Sequence, residues 1–392
     1  MNLTKAQETK VLSICSDILG NSTYGKLLQN YFSNEHTSVE LDFHWWCENL
    51  PRGLKALLYN ALVFRIPFNL RNLDFRQLRV SLGCSGITQT LVEKSMLSSD
   101  YNVLHIHTQN NAYLSLGVMK KIPTVIGIDY TAALLRRDAI SISKPTFLPS
   151  IRLEKQIFEA ASHIASMSNL AKLSVIEDYG IEEHKVTVIP PGIDFKQLGL
   201  LEACNRTNQN QRPNILFVGG SFKRKGGEDL LKVFLENFSE AASLHLVTKK
   251  AVQCNHPNVH VYNNIEAYST TWTRLYQQAD LFVMPSYHEG LPHVYVEAMG
   301  FALPVIASNL VQIAEVVTPG ETGFMVAPGN HSELAQCLKR LIENPDLRLR
   351  MGQASYKAAT QKFDARTNFA RLEQVFHEAA MHRSKDLSKP LF

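Results

Sequence analysis

The chain has 392 residues, 45% of them hydrophobic and 19% charged, the composition of a globular protein too long for one ordinary core, so two domains are expected. Its formal charge is +4, and the stretches before and after Pro190 carry 19 basic against 17 acidic and 21 against 19, which excludes the strong basic excess of a nucleic-acid binder. The six cysteines are scattered without a CxxC pair, no run reaches the ~18–20 apolar residues of a membrane-spanning helix, and the amino terminus lacks a signal-peptide core. These features point to a cytoplasmic protein with buried thiols.

Short β-branched runs alternate with helical patterns along the whole chain. In the first half, 10–16, 39–43, 103–107, 124–128, 163–167 and 186–189 read as strands. Gly20 to Gly25, GNSTYG, reads as a flexible loop after the first of them. Residues 54–66 (LKALLYNALVFRI) have a broad apolar face, and 52–79 contain six basic residues against the single acid Asp74. That segment is either an interfacial helix touching an anionic membrane or an amphipathic helix covering the first sheet. His105 and His107 are expected to alternate so that only one reaches a cleft, with His107, nearer the strand end, the candidate. In IGIDYT, Asp129 either meets a ligand hydroxyl or caps the following turn.

Pro190-Pro191-Gly192 is the natural hinge. Beyond it, 215–218, 244–247, 259–262, 281–284, 304–307 and 323–326 read as strands, and the chain is expected to be helical from Pro345 to about His382. The predicted organisation is therefore two doubly wound α/β domains, 1–190 and 191–363, then a terminal helix and tail, 364–392, packing back on the first domain.

Two loops of the second half carry the candidate chemistry. In FVGGSFKRKGG, residues 217–227, a strand enters a glycine-flanked basic loop where Arg224 and Lys225 either neutralise two phosphates or form a solvated basic turn. It is not a Walker loop, since no Gly-Lys-Ser/Thr follows. In PSYHEGLPHVYVEAMGFALPVIAS, residues 285–308, Glu289 and Glu297 stand eight positions apart on a strand-to-helix-to-strand crossover. A helix starting near Leu291 offers the amides of Gly290 and Leu291 to an anion such as a diphosphate, while carboxylates beside it suit sugar hydroxyls. The plainer alternative makes Glu289 a helix cap and Glu297 a solvated surface residue. His288, Glu289 and His293 cluster, but their spacing is one residue too long for the zinc-binding i, i+4 pair, and no metal is expected.

EGLP with EAMGFALPVIAS, KGG after the first strand of the second half, and VIPPGID at the hinge resemble the retaining glycosyltransferases of family 4 (glycosyltransferase group 1). The resemblance is strongest over residues 185–329. Before that it rests on strand order and on ASMSNLAKL. It implies the GT-B fold, two Rossmann-like doubly wound domains facing a central cleft, and transfer of a sugar from a nucleotide sugar to an acceptor hydroxyl. By position it implies that Glu289 engages the donor sugar, Gly290 and Leu291 the diphosphate and sugar, Glu297 the ribose hydroxyls and Lys225 the phosphate. The family's arginine ahead of that lysine is missing, because Gly220-Ser221-Phe222 stand there, so Arg224 is the substitute.

Gly220, with Asn263 to Glu266 and Ile265 among them, completes the donor side around phosphate and base. The family's histidine is replaced by Asp129 and Thr131, which places Asp129 with Glu289 and Lys225 in the catalytic set. Gly20, His107 and Asp129 form the acceptor side. No Asp-x-Asp occurs, and no cofactor is implied beyond the donor, with UDP the first choice of nucleotide and GDP or ADP the others. A sugar-nucleotide epimerase of the same fold and a non-catalytic sugar-nucleotide-binding subunit are the alternatives.

Overall fold

The computed structural model describes residues 9–16, 21–35, 37–46, 48, 53, 57, 73–139, 142–200, 212–289 and 293–387. The chain divides into two compact units, Met1–Pro190 with Arg366–Phe392, and Pro191–Ala365.

The first unit is a parallel six-stranded sheet of β1 (Thr9–Cys15), β2 (Val39–Trp45), β3 (Val103–His107), β4 (Thr124–Ile128), β5 (His163–Ser166) and β6 (Val186–Val188), in the order β2-β1-β3-β4-β5-β6. Its helices are α1 (Asn21–Asn34), α2 (Arg76–Ser98), α3 (Leu116–Met119), α4 (Ala132–Asp138), α5 (Leu148–Ala160) and α6 (Asn169–Tyr179). β3, β4 and β5 are buried along their whole length, the pattern of parallel strands covered on both faces, and Ile14, Leu104, Ile106, Ile126 and Ile164 lie at the centre.

The second unit repeats the plan with β7 (Asn214–Val218), β8 (Ser243–Thr248), β9 (Val259–Asn263), β10 (Leu281–Met284), β11 (Val305–Ser308) and β12 (Gly323–Val326), ordered β12-β11-β10-β7-β8-β9. Helices α7 (Gly227–Asn237), α8 (Thr270–Gln278), α9 (His293–Gly300), α10 (His331–Glu343) and α11 (Pro345–Lys362) connect and cover it. A last helix, α12 (Ala365–Leu387), belongs from Arg366 onward to the first unit.

Each sheet reverses direction once. The chain winds outward from β1 to β2 and returns to the other side of β1 at β3; it winds from β7 through β8 to β9 and returns beside β7 at β10. The crevices outside the carboxyl ends of β1/β3 and of β7/β10 are therefore where ligands collect in such sheets.

All twelve expected strands are present, with ends shifted by a residue or two. One local expectation is corrected. Residues 21–25 are not a loop but the first turns of α1; glycine is there because a Cβ on Gly25 would lie 2.6 Å from the Trp45 ring of β2. Gly20 itself lies outside the described residues, as does the 54–66 segment apart from position 57. The helical stretch expected from Pro345 is two helices, Pro345–Lys362 and Ala365–Leu387, and the chain leaves the second unit between them. There Ile193 donates its amide to the Phe363 carbonyl at 3.0 Å and accepts from the Ala365 amide at 3.0 Å.

Helix α12 is fastened to the first sheet by His377, whose ring nitrogens lie 2.8 Å from Thr9 Oγ1 and 2.7 Å from Ser38 Oγ. Phe376 meets the His105 ring edge-on at 5.3 Å, and Phe369 meets Tyr24 at 5.6 Å. Among the described residues no helix is long and apolar enough to cross a membrane, and Cys15, Cys84, Cys254 and Cys337 are free thiols.

Candidate active site

The loops after β7 and β10 meet at the switch point of the second sheet. Tyr287 donates its amide to the Arg224 carbonyl at 3.0 Å, so one backbone hydrogen bond ties the two. Close approach is possible because Gly226, in a left-handed conformation with φ +73°, carries no side chain. A Cβ there would lie 2.1 Å from the Pro285 carbonyl oxygen. The same glycine precedes α7, whose first amide, that of Gly227, donates to the Phe222 carbonyl at 2.8 Å.

This approach brings Lys225, Arg224 and Glu289 together. The Lys225 ammonium lies 2.7 Å from the Glu289 carboxylate, and Arg224 Nη1 lies 3.4 Å from the same group while donating to the His288 carbonyl at 2.7 Å. Glu289 is 6% exposed, Lys225 14% and Arg224 44%, so the carboxylate and ammonium form a nearly dry pair with a wetter guanidinium beside it. Burial pushes the lysine pKa down, against the pull of the Glu289 charge. Gln312, in the turn Val311–Glu315 after β11, donates to the Glu289 carbonyl and fixes the loop from the other side. The sequence gives no cue to Gln312, since a buried amide in a short turn has no pattern of its own.

Glu297 is not the surface residue that helical glutamates usually are. It is 4% exposed on α9, and its carboxyl accepts from Tyr268 at 3.3 Å and from Tyr276 at 3.0 Å. Burial pushes its pKa up to about 7, with the two phenols acting in the opposite sense. The two glutamates thus engage different partners: Glu289 the basic loop, Glu297 a tyrosine pair. Tyr268, Trp272 and Tyr276 recur every four residues, a spacing that is the available sequence signal for this pair although Tyr268 itself lies in the loop before α8. Asn263 holds the end of β9 by donating to the Thr248 and Lys250 carbonyls at 2.9 and 3.0 Å, and Ile265 packs on the core. Gly220 is exposed beside the aliphatic stem of Lys249. Gly290 and Leu291 lie outside the described residues. Among the described residues no three His, Cys, Asp or Glu side chains are grouped to hold a metal ion.

In the first unit, the loop after β4 carries Asp129. It does not cap α4: Thr131 does, accepting from the Leu134 amide at 3.2 Å, while Asp129 accepts from the neighbouring Tyr130 amide at 2.8 Å. Burial pushes the Asp129 carboxyl upward. The loop is locked from below by Glu154 of α5, a buried carboxyl that accepts from the Ala132 amide at 2.9 Å, Gln109 at 3.2 Å, Tyr113 at 3.3 Å and Tyr179. Gln109 also donates to the Tyr130 carbonyl at 2.7 Å. Burial outweighs these bonds and raises the Glu154 pKa to about 7. An acid in an amphipathic helix that also carries Glu159 reads as surface, so the sequence did not mark it.

The expectation that His105 and His107 face opposite ways is corrected. Residues two apart on a strand share a face, and both rings are buried, 6.4 Å apart. His105 Nδ1 lies 2.9 Å from Ser13 Oγ, and His107 stacks on Tyr24 at 4.4 Å, so each is part of the packing beneath the β1/β3 crevice.

Comparison with known proteins agrees with this geometry. Residues 202–358 match the family model of glycosyl transferases group 1, and residues 42–197 match that of glycosyltransferase family 4. The capsular polysaccharide biosynthesis glycosyltransferase CapM of Staphylococcus aureus is 25% identical over 269 residues, 63% of this chain and 69% of the relative. An uncharacterized glycosyltransferase of Methanocaldococcus jannaschii is 20% identical over 358 residues, 88% and 86% of the two chains.

Among solved structures, sucrose-phosphate synthase from Thermosynechococcus elongatus superposes with a TM-score of 0.68 at 16% identity, covering 94% of this chain and 98% of that one. HepE of Anabaena, in complex with UDP and glucose, gives a TM-score of 0.66 at 16% identity, covering 94% and 100%. The chain belongs to the GT-B glycosyltransferases of group 1 and family 4, and it is an enzyme of the glycosyl-transferring class.

Proposed function

We propose that this enzyme moves a sugar, with retention of anomeric configuration, from a nucleoside diphosphate sugar to a hydroxyl of a glycan, polysaccharide or lipid-linked acceptor. The observation that carries the reading is the Lys225–Glu289–Arg224 cluster at the switch point of the second sheet. A cation pair at a helix start suits a diphosphate, and a carboxylate held next to it suits the hydroxyls of the attached sugar. The donor then belongs to the second unit, with Glu297 at the ribose, Gly220, Asn263 and Ile265 around phosphate and base, and UDP the first nucleotide to try.

In this reading Lys225 and Arg224 stabilise charge that develops on the leaving phosphate, and the phosphate takes up the acceptor proton as the new bond forms on the same face. No protein carboxylate serves as nucleophile in this scheme, and the charge compensation falls to the two cations and the loop amides. Asp129, on its locked loop, orients the acceptor or the sugar. Closure about 190–194 excludes water that would otherwise hydrolyse the donor. The basic stretch 52–79 is assigned a peripheral contact with anionic lipid, which co-sedimentation with anionic and neutral vesicles tests.

The deciding experiment incubates the protein with UDP-, GDP- and ADP-sugars, with and without hydroxyl acceptors, and follows product by mass. Glu289→Ala should lower transfer by about 10²-fold or more while nucleotide diphosphate still binds. Full transfer by that variant refutes the assignment. A new sugar nucleotide formed from donor alone identifies an epimerase instead.

A further inference from the structure

The two phenols on Glu297 are unlike each other. Tyr276 is fully buried on α8, stacked against Phe301 at 5.2 Å, and makes the shorter bond. Tyr268 is half-buried at the end of the loop after β9, among exposed neighbours, and makes the longer one, 3.3 Å. Its backbone is left-handed, φ 64°, as is that of Asn264 at the start of the same loop, φ 57°. Residues with a Cβ hold that conformation only where their surroundings impose it. Tyr268 is held by the hydrogen bond to Glu297, by Trp272, whose ring centre is 4.9 Å away, and by packing on the core of the second unit.

We propose that Tyr268 is a displaceable stand-in for a ribose hydroxyl. While nucleotide is absent its phenol donates to Glu297, and an arriving ribose diol replaces it and releases the 264–268 loop onto the base. The inference rests on Glu297 being the ribose ligand. A phenol and a sugar hydroxyl are the same kind of donor to the same acceptor, so the exchange keeps the buried carboxyl satisfied throughout, which its burial demands. A nucleotide without ribose hydroxyls has nothing to give Glu297 in return for the phenol. The preference for ribonucleotides thus comes from Glu297, Tyr268 moderates it by competing only with a nucleotide that bears the diol, and Tyr276 is the permanent donor that keeps the carboxyl oriented.

The test is calorimetric titration of the full chain with UDP, GDP and ADP, then with the 2′,3′-dideoxy form of whichever binds. Tyr268→Phe keeps the ring on Trp272 and removes only the competing hydroxyl. The ribonucleotide should bind about threefold to tenfold tighter to this variant, and the dideoxynucleotide with unchanged affinity. Independently, the part of the emission that is lost in Trp272→Phe should shift when ribonucleotide is added and stay still with the dideoxy form. Ribonucleotide binding that Tyr268→Phe leaves equal or weakens, an equal gain for both nucleotides, or a silent Trp272 overturns the displacement but leaves the nucleotide-sugar reading intact. Failure of all three nucleotides to bind overturns both.

Discussion

Lys225→Met is the most direct probe of the central pair. It leaves the Glu289 carboxylate, 6% exposed, without the ammonium 2.7 Å away and with only the half-exposed Arg224 at 3.4 Å. Removing one partner of a fully buried pair costs about 3–5 kcal/mol, because the remaining charge stays desolvated. Lys225 retains some exposure and Arg224 can move closer, so about 2–3 kcal/mol is expected here. Glu289→Gln strands the ammonium, which reaches water more easily, and should cost less, about 1–2 kcal/mol. In the double variant neither charge is left unpaired, and its cost should fall below the sum of the singles by about 2 kcal/mol. Urea unfolding followed by the part of the emission that is lost in Trp272→Phe, Trp272 being the sole tryptophan of residues 191–365, reports on this unit specifically. A Lys225→Met variant within about 0.5 kcal/mol of the parent, or additive single effects, would show that the lysine does not hold the carboxylate.

Other outcomes follow from single features. Glu154 has an ordinary pKa of 4.5 raised to about 7 by burial, so the folded first unit keeps a proton that the unfolded chain loses. Its contribution is present below about pH 4.5, is lost as pH rises toward 7, and is constant above; Glu154→Gln should flatten the stability profile between pH 5 and 8 by about 3 kcal/mol. A profile with unchanged slope refutes the shifted carboxyl.

Gly226→Ala meets both a left-handed backbone and a carbonyl 2.1 Å away, whereas Gly180→Ala, φ +72°, meets open space. The first should lose about 3 kcal/mol or more and the second about 1, and equal thermal shifts would contradict the close approach of the two loops. Phe376→Ala, emptying a fully buried site where α12 packs on the first sheet, should cost about 3–5 kcal/mol. A loss under about 1 kcal/mol in denaturant titration would mean that α12 is not docked there.

The twelve strands and the two chemically rich loops were legible in the sequence because their signals are local. β-branched runs such as 281–284 and the punctuation of Pro285 or Gly226 act over a few residues, and a strand buried on both faces needs no partner to be recognised. The sequence also offered the separate ingredients of the site, Lys225 in one loop and Glu289 sixty-four positions later. That they touch was decided by the crossover that returns the chain beside β7 at β10, which places the ends of both strands at one crevice. The same is true of Glu297, which reads as an ordinary helical acid until α8 and the loop before it bring Tyr276 and Tyr268 to it, and of Glu154 beneath the Asp129 loop. Burial and pairing of a charge depend on what the rest of the chain places around it, and that is a property of the tertiary structure alone.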